Sequence, residues 1–474
     1  MRFFRHVITL LALVLVLAAQ AERKEIHILS TNDMHSSMKN FPQLAALADS
    51  LRGIDPELLI LSAGDNRTGN PLNDLFQIPA YPMVALMNQV GFAATTLGNH
   101  EFDLRSLARL IPLSNFSYIC ANIFADDTTG IRTIPYKIFD VRGTKVGIIG
   151  VVQINKWGRP DTHPDNVVGI RFVDPQETVR NYEWLSRECD VTILLSHIGY
   201  EADINMTEAY PWIDLIVGGH SHTQLKSDEP LHNNILITQN KNKLPKATHI
   251  TLTVDNGHVI DKRAEYFDLK HYPKRNIIVE QMVEGFEHNP VFNQKLAKAD
   301  ESFENIDEIG AMVCDAFIAC TGADIAIENR GGVRLDSLPA GEITLLNALA
   351  IDPFSNHAME LTLTGEEIYR MIHSYSRMSI YHFPHLGGLQ AEIKLEKKDP
   401  TVIRSFKLKT LDGKNLDKKR IYRVVTNSYV TATCTAINPD DAHMLNSMTS
   451  DLIIRFLEQK QHVNYHGVKR VLYK

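Results

Sequence analysis

The sequence of 474 residues is poor in cysteine and has no long apolar run after its first 21 residues. Its five cysteines form no Cys-x-x-Cys pair, which excludes a cysteine-based metal site and a dense disulfide framework and favours buried thiols. No segment beyond residue 21 approaches the length of a transmembrane helix, so we expect no membrane span. Repeats and low-complexity segments are also missing, which excludes a fibre or a repeat array.

Basic residues are too few for a protein that binds polymeric nucleic acid through its phosphates. The formal net charge is −7, and removing residues 1–21 takes away two arginines and no acid, so it becomes −9. That balance argues against a DNA or RNA polymer as partner. It does not argue against a small phosphorylated substrate, because bound metal ions would supply local positive charge.

The first 21 residues have the pattern of a signal peptide. Arg2 and Arg5 give a basic start, Val7–Ala19 is apolar, and Ala19-Gln20-Ala21 offers small residues at the spacing that a signal peptidase needs. A buried N-terminal helix is the alternative, but the basic start and the cleavage pattern count against it. We therefore expect an exported protein, periplasmic or extracellular.

Residues 22–270 alternate short apolar runs with helical patterns. The runs are rich in valine and isoleucine and lie far enough apart for crossover helices, as in an α/β fold with strands buried on both faces. Asn256-Gly257 predicts a tight turn between two further strands, His249–Val254 and His258–Tyr266. The predicted buried strands are Ile26–Ser30, Leu58–Ser62, Ala94–Leu97, Lys145–Val151, Val191–Leu195, Leu215–Val217 and Ile235–Thr238.

The chain is too long for one core of ordinary size, so a second domain is expected. Residues 271–300 are polar with a helical pattern, and we interpret them as an interdomain helix or linker. A smaller α/β domain is predicted for residues 301–474. Its predicted elements are a helix at Ile309–Cys320 and strands at Ile325–Glu328, Met359–Leu363, Ala391–Leu395 and Ile421–Asn427.

In five places a predicted strand is followed at once by side chains that bind metal ions. In an open α/β sheet the ligand site lies at the carboxyl ends of the strands, so we expect the five ends to converge on one crevice. Taken singly, most of these segments are as easily ordinary turns or loops. The five segments are Asp33-Met-His35, Asp65, Asn99-His-Glu-Phe-Asp103, His197 and His220-Ser-His222.

The residue types suit two divalent ions, zinc or manganese. Carboxylate, imidazole and amide oxygen are ligands for both, and the lack of cysteine argues against a structural zinc site. Two ions about 3.5–4 Å apart share a bridging carboxylate, and Asp65, alone on its loop, is the predicted bridge. The other predicted ligands are Asp33, His35 and His222 for one ion, and Asn99, His197 and His220 for the other.

Five motifs, taken in order, carry a family resemblance. They are Thr31-Asn-Asp-Met-His35, Gly64-Asp65, Gly98-Asn-His-Glu-Phe-Asp103, Ser196-His-Ile-Gly199 and Gly218-Gly-His-Ser-His222. The chain resembles the calcineurin-like metallophosphoesterases and, more closely, the exported two-domain enzymes of the 5′-nucleotidase family. The resemblance implies an N-terminal four-layer α/β/β/α metallophosphoesterase sandwich and a smaller C-terminal α/β substrate-binding domain. It also implies the metal assignments above.

The same resemblance implies that His100 and Asp103 form a catalytic pair, and the chemistry favours this independently. Hydrolysis of a phosphate ester needs a nucleophile at neutral pH, which a metal-bridging hydroxide supplies. An imidazolium at His100 would stabilise the charge that develops during attack, and Asp103 would hold its orientation. The alternative is that His100 is a ligand and Asp103 an ordinary acid at a helix start.

The second domain contains a candidate substrate segment, Asn329-Arg-Gly-Gly-Val-Arg334. From the residues alone it is either an anion site, because arginine clasps phosphate with two hydrogen bonds, or a solvated loop. It resembles the segment with which the family holds substrate phosphate or ribose, which implies that role for Asn329, Arg330 and Arg334. The resemblance also implies an anion contact at Arg377 and stacking of a nucleobase on Phe383.

One departure from the family concerns the second face of that base site. The family usually has a Gly-Gly-Asp-Gly-aromatic segment near its end, whereas residues 436–443 of this chain hold no Phe or Tyr. Either His443 takes that place or the base is held on one side only. The preferred ester is therefore open.

The expected activity is hydrolysis of nucleoside monophosphates to nucleoside and phosphate. A cyclic-nucleotide phosphodiesterase or 3′-nucleotidase, or a nucleotide-sugar diphosphate hydrolase, would share the chemistry of the first domain. A nucleotide-binding protein without turnover is disfavoured, since His100 and Asp103 are both present. The sequence does not indicate an oligomeric state.

Overall fold

The computed structural model describes residues 23–228, 231–354 and 356–473. The predicted signal peptide, residues 1–21, lies outside the described residues. The chain divides into two compact units: unit 1 extends to Gly285, except for Thr68–Phe76 and His163–Asp165, which group with the remainder of the chain as unit 2. Within these ranges, no helix is long and apolar enough to cross a bilayer.

Unit 1 contains a six-stranded sheet, ordered His258–Asp268, Lys246–Asp255, Lys24–Thr31, Leu59–Ser62, Ala94–Thr95 and Ser117–Tyr118. The last four strands are parallel, and the first two form an antiparallel hairpin. The hairpin turn is the predicted one, because Asn256 and Gly257 both adopt left-handed backbone angles, with φ of 52° and 77°.

The second sheet of unit 1 has five strands, ordered Leu236–Thr238, Leu215–Gly218, Val191–His197, Thr144–Val152 and Tyr136–Val141. The first four strands are parallel and the last is an antiparallel edge. A separate two-stranded sheet pairs Ile123–Ala125 with Ile170–Phe172.

The two large sheets pack face to face. Ile28 and Leu61 of the first sheet and Ile148 and Leu195 of the second belong to one fully buried apolar cluster. A second cluster joins the outer face of the five-stranded sheet to its helices, which bury Val179, Leu185 and Met206. The predicted α/β/β/α sandwich is therefore confirmed. Its principal helices are Phe41–Arg52, Tyr81–Val90, Leu107–Leu110, Pro175–Arg180, Leu185–Glu188 and Tyr200–Ala209.

Unit 2 is a second α/β assembly, with three sheets among its described residues. The largest has the strand order His385–Gly387, Ile325–Glu328, Ile421–Asn427, His357–Thr364 and His443–Met448. Two three-stranded sheets have the orders Gly341–Thr344, Lys295–Ala299, His462–Val463 and Ile403–Thr410, Leu389–Leu395, Val471–Tyr473. The helices of unit 2 are Pro71–Asp74, Ile306–Thr321, Leu345–Ile351, Gly365–Ser376, Ser428–Thr433 and Thr449–Lys460.

The largest difference from the predicted elements lies in residues 271–300. A helix is present at Ile277–Glu287, but Pro290–Asn293 forms a 3-10 turn and Lys295–Ala299 is a strand paired with Gly341–Thr344. Within residues 271–300, interpreted as an interdomain helix or linker, the helix is therefore limited to Ile277–Glu287. Pro290 lacks an amide hydrogen for a helix, and Leu296, Ala297 and Ala299 of the strand are buried in the core of unit 2. The edge strand Tyr136–Val141 was not predicted either.

The cysteines behave as expected from their number and spacing. All five are free thiols, and Cys120, Cys314 and Cys434 are buried. Burial raises the pKa of the Cys120 thiol to about 12, so this thiol stays protonated and unreactive at neutral pH.

Candidate active site

The seven predicted metal ligands all lie at or just after carboxyl ends of strands in unit 1 and are close together. Three groups of potential ligands each have donor atoms within 4.8 Å of one another. Most of these side chains are buried, in contrast to the exposed acidic clusters that are common on protein surfaces. The groups are Asp33, His35 and His222; His35, Asp65 and His100; and Asp33, Asp65 and His197.

Asp33 lies between the two sheets' strand ends. Its Oδ1 is 3.2 Å from Nε2 of His222 and 4.0 Å from Nε2 of His197. Its Oδ2 accepts hydrogen bonds from the backbone N–H of His220 at 3.0 Å and from Asn32 Nδ2 at 2.7 Å. Asp33 therefore fixes the loop that carries His220 and His222 relative to the first strand.

Asp65 contacts side chains from several other loops. Its Oδ2 lies 3.1 Å from Nε2 of His197 and 4.0 Å from Nε2 of His35, and its Oδ1 accepts the backbone N–H of His100 at 2.8 Å. A carboxylate that contacts two histidines from different loops has the connectivity expected of a shared ligand. The remaining predicted ligands also meet, since Nδ1 of His220 is 3.1 Å from Oδ1 of Asn99.

His100 and Asp103 form the contact that their spacing predicts. Nδ1 of His100 is 2.5 Å from Oδ2 of Asp103, and the two side chains are 15% and 11% exposed. The imidazole of His100 packs edge-on against His35, with ring centroids 5.0 Å apart. The pair therefore borders the cluster of ligands and remains accessible from solvent.

Backbone strain is concentrated in the ligand loops. Five predicted ligands have left-handed φ values, a conformation that costs non-glycine residues roughly 1–3 kcal/mol each. The surrounding structure must impose these conformations, and their clustering at one place indicates a functional site. The residues and their φ angles are Asp33 47°, His35 45°, Asp65 49°, His220 75° and His222 55°.

Glu101 holds two of these loops together, a role that the sequence did not reveal. Its Oε2 accepts the backbone N–H groups of Asp65 at 2.9 Å and Gly98 at 2.6 Å, and its Oε1 accepts that of Asn66 at 2.9 Å. Gly98 is needed at this junction, because a Cβ there would lie 2.1 Å from Oδ1 of Asp65. The sequence feature that could have indicated this role is the position of Glu101 inside the Gly98–Asp103 motif.

The electrostatics of the cluster favour bound positive charge. Burial raises the pKa of Asp65, but the charges of His197 and His100 lower it by more, so that it lies well below the usual value. Burial lowers the pKa of His197, whereas Asp65 and Asp33 raise it to about 10. Burial and the charge of His197 lower the pKa of His220 to about 4. Burial raises the pKa of Asp33 too, but His222 and His197 lower it by more, so both carboxylates are ionised in a buried site, where cations are favoured.

The side chains present fit divalent ions. Nδ1 of His197 lies 2.6 Å from the carbonyl of Ala63, and its Nε2 is buried 3.1 Å from Oδ2 of Asp65, within the ligand cluster. A ring nitrogen held by a backbone carbonyl leaves the other free to bind a metal. Nε2 of His35 likewise faces Nε2 of His222 at 3.2 Å. Imidazole, carboxylate and amide donors suit zinc and manganese alike.

The predicted substrate residues lie in unit 2. Asn329, Arg330 and Arg334 lie on or beside a 3-10 turn, Arg330–Gly332, at the carboxyl end of the strand Ile325–Glu328. Arg330 donates to Asp307 Oδ1 at 2.5 Å. Arg377 is exposed and follows the helix Gly365–Ser376. The turn therefore gathers three of the predicted residues, and Arg377 lies on another segment.

Phe383 does not offer the stacking surface that the family resemblance implied. It is 2% exposed and belongs to the apolar core of unit 2, packed edge-on against Phe406 with ring centroids 5.4 Å apart. A ring enclosed by core side chains has no free face for a base, so this assignment is wrong for the described structure. Tyr381, two residues earlier, is 65% exposed and is the aromatic ring that this segment presents to solvent.

Comparisons with known sequences assign both parts of the chain. Residues 26–224 match the calcineurin-like phosphoesterase family, and residues 290–437 match the 5′-nucleotidase C-terminal domain. Together these matches span more than two thirds of the chain. All seven predicted metal ligands lie inside the first match.

The relatives agree with these domains. The chain is 24% identical to the trifunctional nucleotide phosphoesterase protein YfkN of Bacillus subtilis (strain 168), over 86% of this chain but only 32% of that longer protein. It is 28% identical to a 5′-nucleotidase of Vibrio cholerae serotype O1, over 73% of this chain and 74% of that one. The crystal structure of a 5′-nucleotidase precursor from Thermus thermophilus has the same fold, with a TM-score of 0.82 at 22% identity, covering 95% of this chain and 99% of that one.

The fold and the site define a metal-dependent phosphoester hydrolase of the calcineurin-like class, whose members use divalent metal ions. Within that class, the match of residues 290–437 to the 5′-nucleotidase C-terminal domain identifies the family. The chain belongs to the 5′-nucleotidase family.

Proposed function

We propose that the protein is an exported 5′-nucleotidase that hydrolyses nucleoside monophosphates to nucleoside and inorganic phosphate. The observation that carries the proposal is the buried carboxylate of Asp65, with His35, His197 and the amide of His100 around it. The 5′-nucleotidase C-terminal domain and the relative of that name favour a nucleotide as the substrate.

Two metal ions would be held by the side chains that converge on Asp65. One ion would be held by Asp33, His35 and His222, and the other by Asn99, His197 and His220. Asp65 would contribute to both sites. When bound, such ions polarise the phosphate and lower the pKa of water, so that hydroxide is available at neutral pH. Zinc and manganese remain equal candidates by ligand type.

His100 and Asp103 would assist departure of the leaving group. Nδ1 of His100 contacts Asp103, and Nε2 is the ring nitrogen that would act on the substrate. The charged imidazole would stabilise negative charge on the ester oxygen and donate its proton there. Asp103 keeps the ring in the orientation and tautomer that this step needs.

The anion contacts in unit 2 would bind the rest of the nucleotide. We assign phosphate or ribose contacts to Asn329, Arg330, Arg334 and Arg377, following the family resemblance. The exposed ring of Tyr381 replaces Phe383 as the aromatic candidate for the base. Hydrolysis of a cyclic nucleotide or a nucleotide sugar is the second candidate, favoured by the nucleotide phosphoesterase relative and by the altered stretch 436–443.

A substrate panel tests the proposal. Purified protein with added manganese or zinc is assayed on AMP, a 3′-nucleotide, a cyclic nucleotide and UDP-glucose, with phosphate release as the readout. We expect AMP to be the best substrate and a chelator to abolish turnover. A higher kcat/KM for UDP-glucose or a cyclic nucleotide would replace the substrate assignment, and failure to cleave even an aryl phosphate would reject the enzyme proposal.

The His100→Asn variant tests the catalytic pair within that panel. The change removes the titratable ring while the ligand side chains stay in place. We expect kcat to fall by about 10²–10⁴-fold, the usual contribution of general acid–base catalysis, with bound metal nearly unchanged. A variant that retains the native rate would reject the role of His100.

Export is the remaining part of the proposal. The signal-type pattern of residues 1–21 supports it. Expression of the full chain should yield a secreted or periplasmic product whose N-terminus is Glu22, as mass spectrometry would show. An uncleaved product retained inside the cell would contradict export.

A further inference from the structure

Asp103, the partner of His100, has a second partner from a distant loop. Thr162 is 2% exposed, and its hydroxyl donates to Oδ1 of Asp103 at 2.7 Å. The other carboxylate oxygen, Oδ2, faces Nδ1 of His100 at 2.5 Å. Each oxygen of Asp103 therefore has its own partner, and the carboxylate plane is fixed by two hydrogen bonds rather than one.

The direction of the Thr162 hydrogen bond is determined by its neighbours. Nδ2 of Asn166 donates to Oγ1 of Thr162 at 3.2 Å, and Nε of Arg105 donates to Oδ1 of Asn166 at 3.2 Å. Arginine is always a donor, so the amide oxygen of Asn166 faces Arg105 and its nitrogen faces Thr162. The hydroxyl proton of Thr162 is then left for Asp103.

The loop that carries Thr162 is held firmly in place. The carboxylate of the preceding residue, Asp161, accepts hydrogen bonds from Gln153 Nε2 and Asn155 Nδ2, both at 3.0 Å. The carbonyl of Asp161 accepts Nδ2 of the predicted ligand Asn99 at 3.2 Å. Two consecutive residues thus contact both ends of the segment that contains His100. A hydroxyl on so constrained a loop is suited to restrict the rotamer of its partner.

We propose that Thr162 is a positioning residue for phosphate ester hydrolysis. Its hydrogen bond holds Asp103 so that Oδ2 stays on Nδ1 of His100 and Nε2 of His100 stays directed at the leaving oxygen. Asp103 is 11% exposed, so without this bond water competes for the carboxylate and the side chain can rotate. The inference rests on the proposed role of the His100–Asp103 pair. It goes further by extending the pair to a series of hydrogen bonds that runs from Asp103 through Thr162 and Asn166 to Arg105.

The variant Thr162→Val removes the hydroxyl at nearly constant shape, and Thr162→Ser restores it. We expect Thr162→Val to lower kcat by roughly ten- to a hundredfold, the range for losing a hydrogen bond to a charged group, with KM changed little. The loss should be larger for phosphate esters with poor leaving groups than for p-nitrophenyl phosphate. Thr162→Ser should recover most of the rate. Bound metal, measured by elemental analysis, should stay constant.

Two further variants guard against a purely structural effect. Thr178→Val removes another buried hydroxyl, one that donates to the backbone carbonyl of Asp174, and should leave kcat unchanged. Asn166→Ala leaves Thr162 in place but removes the amide that directs its hydroxyl proton towards Asp103. This variant should lose less kcat than Thr162→Val, with the same dependence on the leaving group. It also provides the test if Thr162→Val does not fold.

The proposal would be overturned by native kcat in Thr162→Val, by a loss equal for all leaving groups, or by a Thr162→Ser variant as impaired as Thr162→Val. Combining Thr162→Val with Asp103→Asn should cost little more than Asp103→Asn alone, because both act through His100, and full additivity would count against it. If His100→Asn and Asp103→Asn keep the native rate, the proposed function of the pair fails. If they lose it and Thr162→Val does not, only the present inference fails.

Discussion

Asp352 is a carboxylic acid in the interior of unit 2, outside the candidate site. It is 8% exposed and accepts hydrogen bonds from the hydroxyl of Thr449 and the backbone N–H of Phe354. Burial raises the pKa of Asp352 to about 6, and the two hydrogen bonds lower it by less. Ionisation at neutral pH is therefore unfavourable in the folded protein.

This pKa predicts a specific dependence of stability on pH. The folded pKa lies above the unfolded value of about 4, so the contribution of Asp352 is fully present below pH 4 and is lost as the pH rises to 6. Asp352→Asn cannot ionise and should gain up to about 3 kcal/mol relative to the native chain between pH 4 and pH 7. Chemical denaturation at the two pH values measures the difference, with the exposed Asp440→Asn as the control. A difference that does not change with pH would contradict the raised pKa.

Single residues differ in how far the sequence reveals them. His100 and Asp103 were predictable, because a spacing of three positions keeps two side chains close in any helical turn. The contact of Thr162 with Asp103 joins residues 59 positions apart, and no local pattern records it. Phe383 was misassigned because a motif shows which ring is present but not which side of it packs against Phe406.

At the scale of elements, the site depends on how the ligand loops are joined. The 3-10 turn Asn99–Phe102 and the loop after Leu59–Ser62 are connected through Glu101, which is 1% exposed. Its hydrogen bonds to Asp65, Asn66 and Gly98 all come from backbone N–H groups, so both carboxylate oxygens act as acceptors. This contact holds Asp65 in its strained backbone conformation.

We therefore predict that Glu101→Gln weakens metal binding without removing a ligand. The new amide nitrogen would face a backbone N–H group, leaving two donors opposed in a buried site. We expect a loss of metal affinity of roughly 10–100-fold, the range for residues that orient ligands, measured by titration with a competing chelator. Glu101→Asp, whose shorter side chain cannot reach both loops, should show a similar loss. The exposed Glu177→Gln should behave as the native protein, and a Glu101→Gln variant with native affinity would show that the loops hold their shape without this contact.

The elements themselves were largely predictable where they are buried. Strands such as Val191–His197 and Leu215–Gly218 are continuous apolar runs because both faces of the sheet are covered, and such runs stand out in a sequence. Tyr136–Val141 is an edge strand with mostly half-exposed side chains, and Lys295–Ala299 is short and contains two lysines. These two segments form strands because they pair with distant segments, so the local sequence contains too weak a pattern to predict them.

At the scale of the whole molecule, the two units carry different spectroscopic reporters. The chain has three tryptophans, Trp157, Trp184 and Trp212, and all of them lie in unit 1. The seven predicted metal ligands also lie in unit 1. Tryptophan fluorescence therefore follows unfolding of the unit that would bind metal, whereas far-ultraviolet circular dichroism follows helices and strands of both units.

We predict that metal raises the unfolding midpoint seen by fluorescence. A ligand that binds only the folded state adds about 2.7 kcal/mol per site at a concentration of 100 times Kd, which is roughly 5–10 °C for a unit of this size. Thermal unfolding is followed by fluorescence and circular dichroism in a chelator and again with excess zinc or manganese. We expect the fluorescence midpoint to rise and the dichroism trace to separate into a shifted and an unshifted component. Asp65→Asn should abolish the shift, because Asp65 is the side chain that both proposed ions share. An unchanged fluorescence midpoint in the native protein would contradict a metal site in unit 1, whatever the activity of the enzyme proved to be.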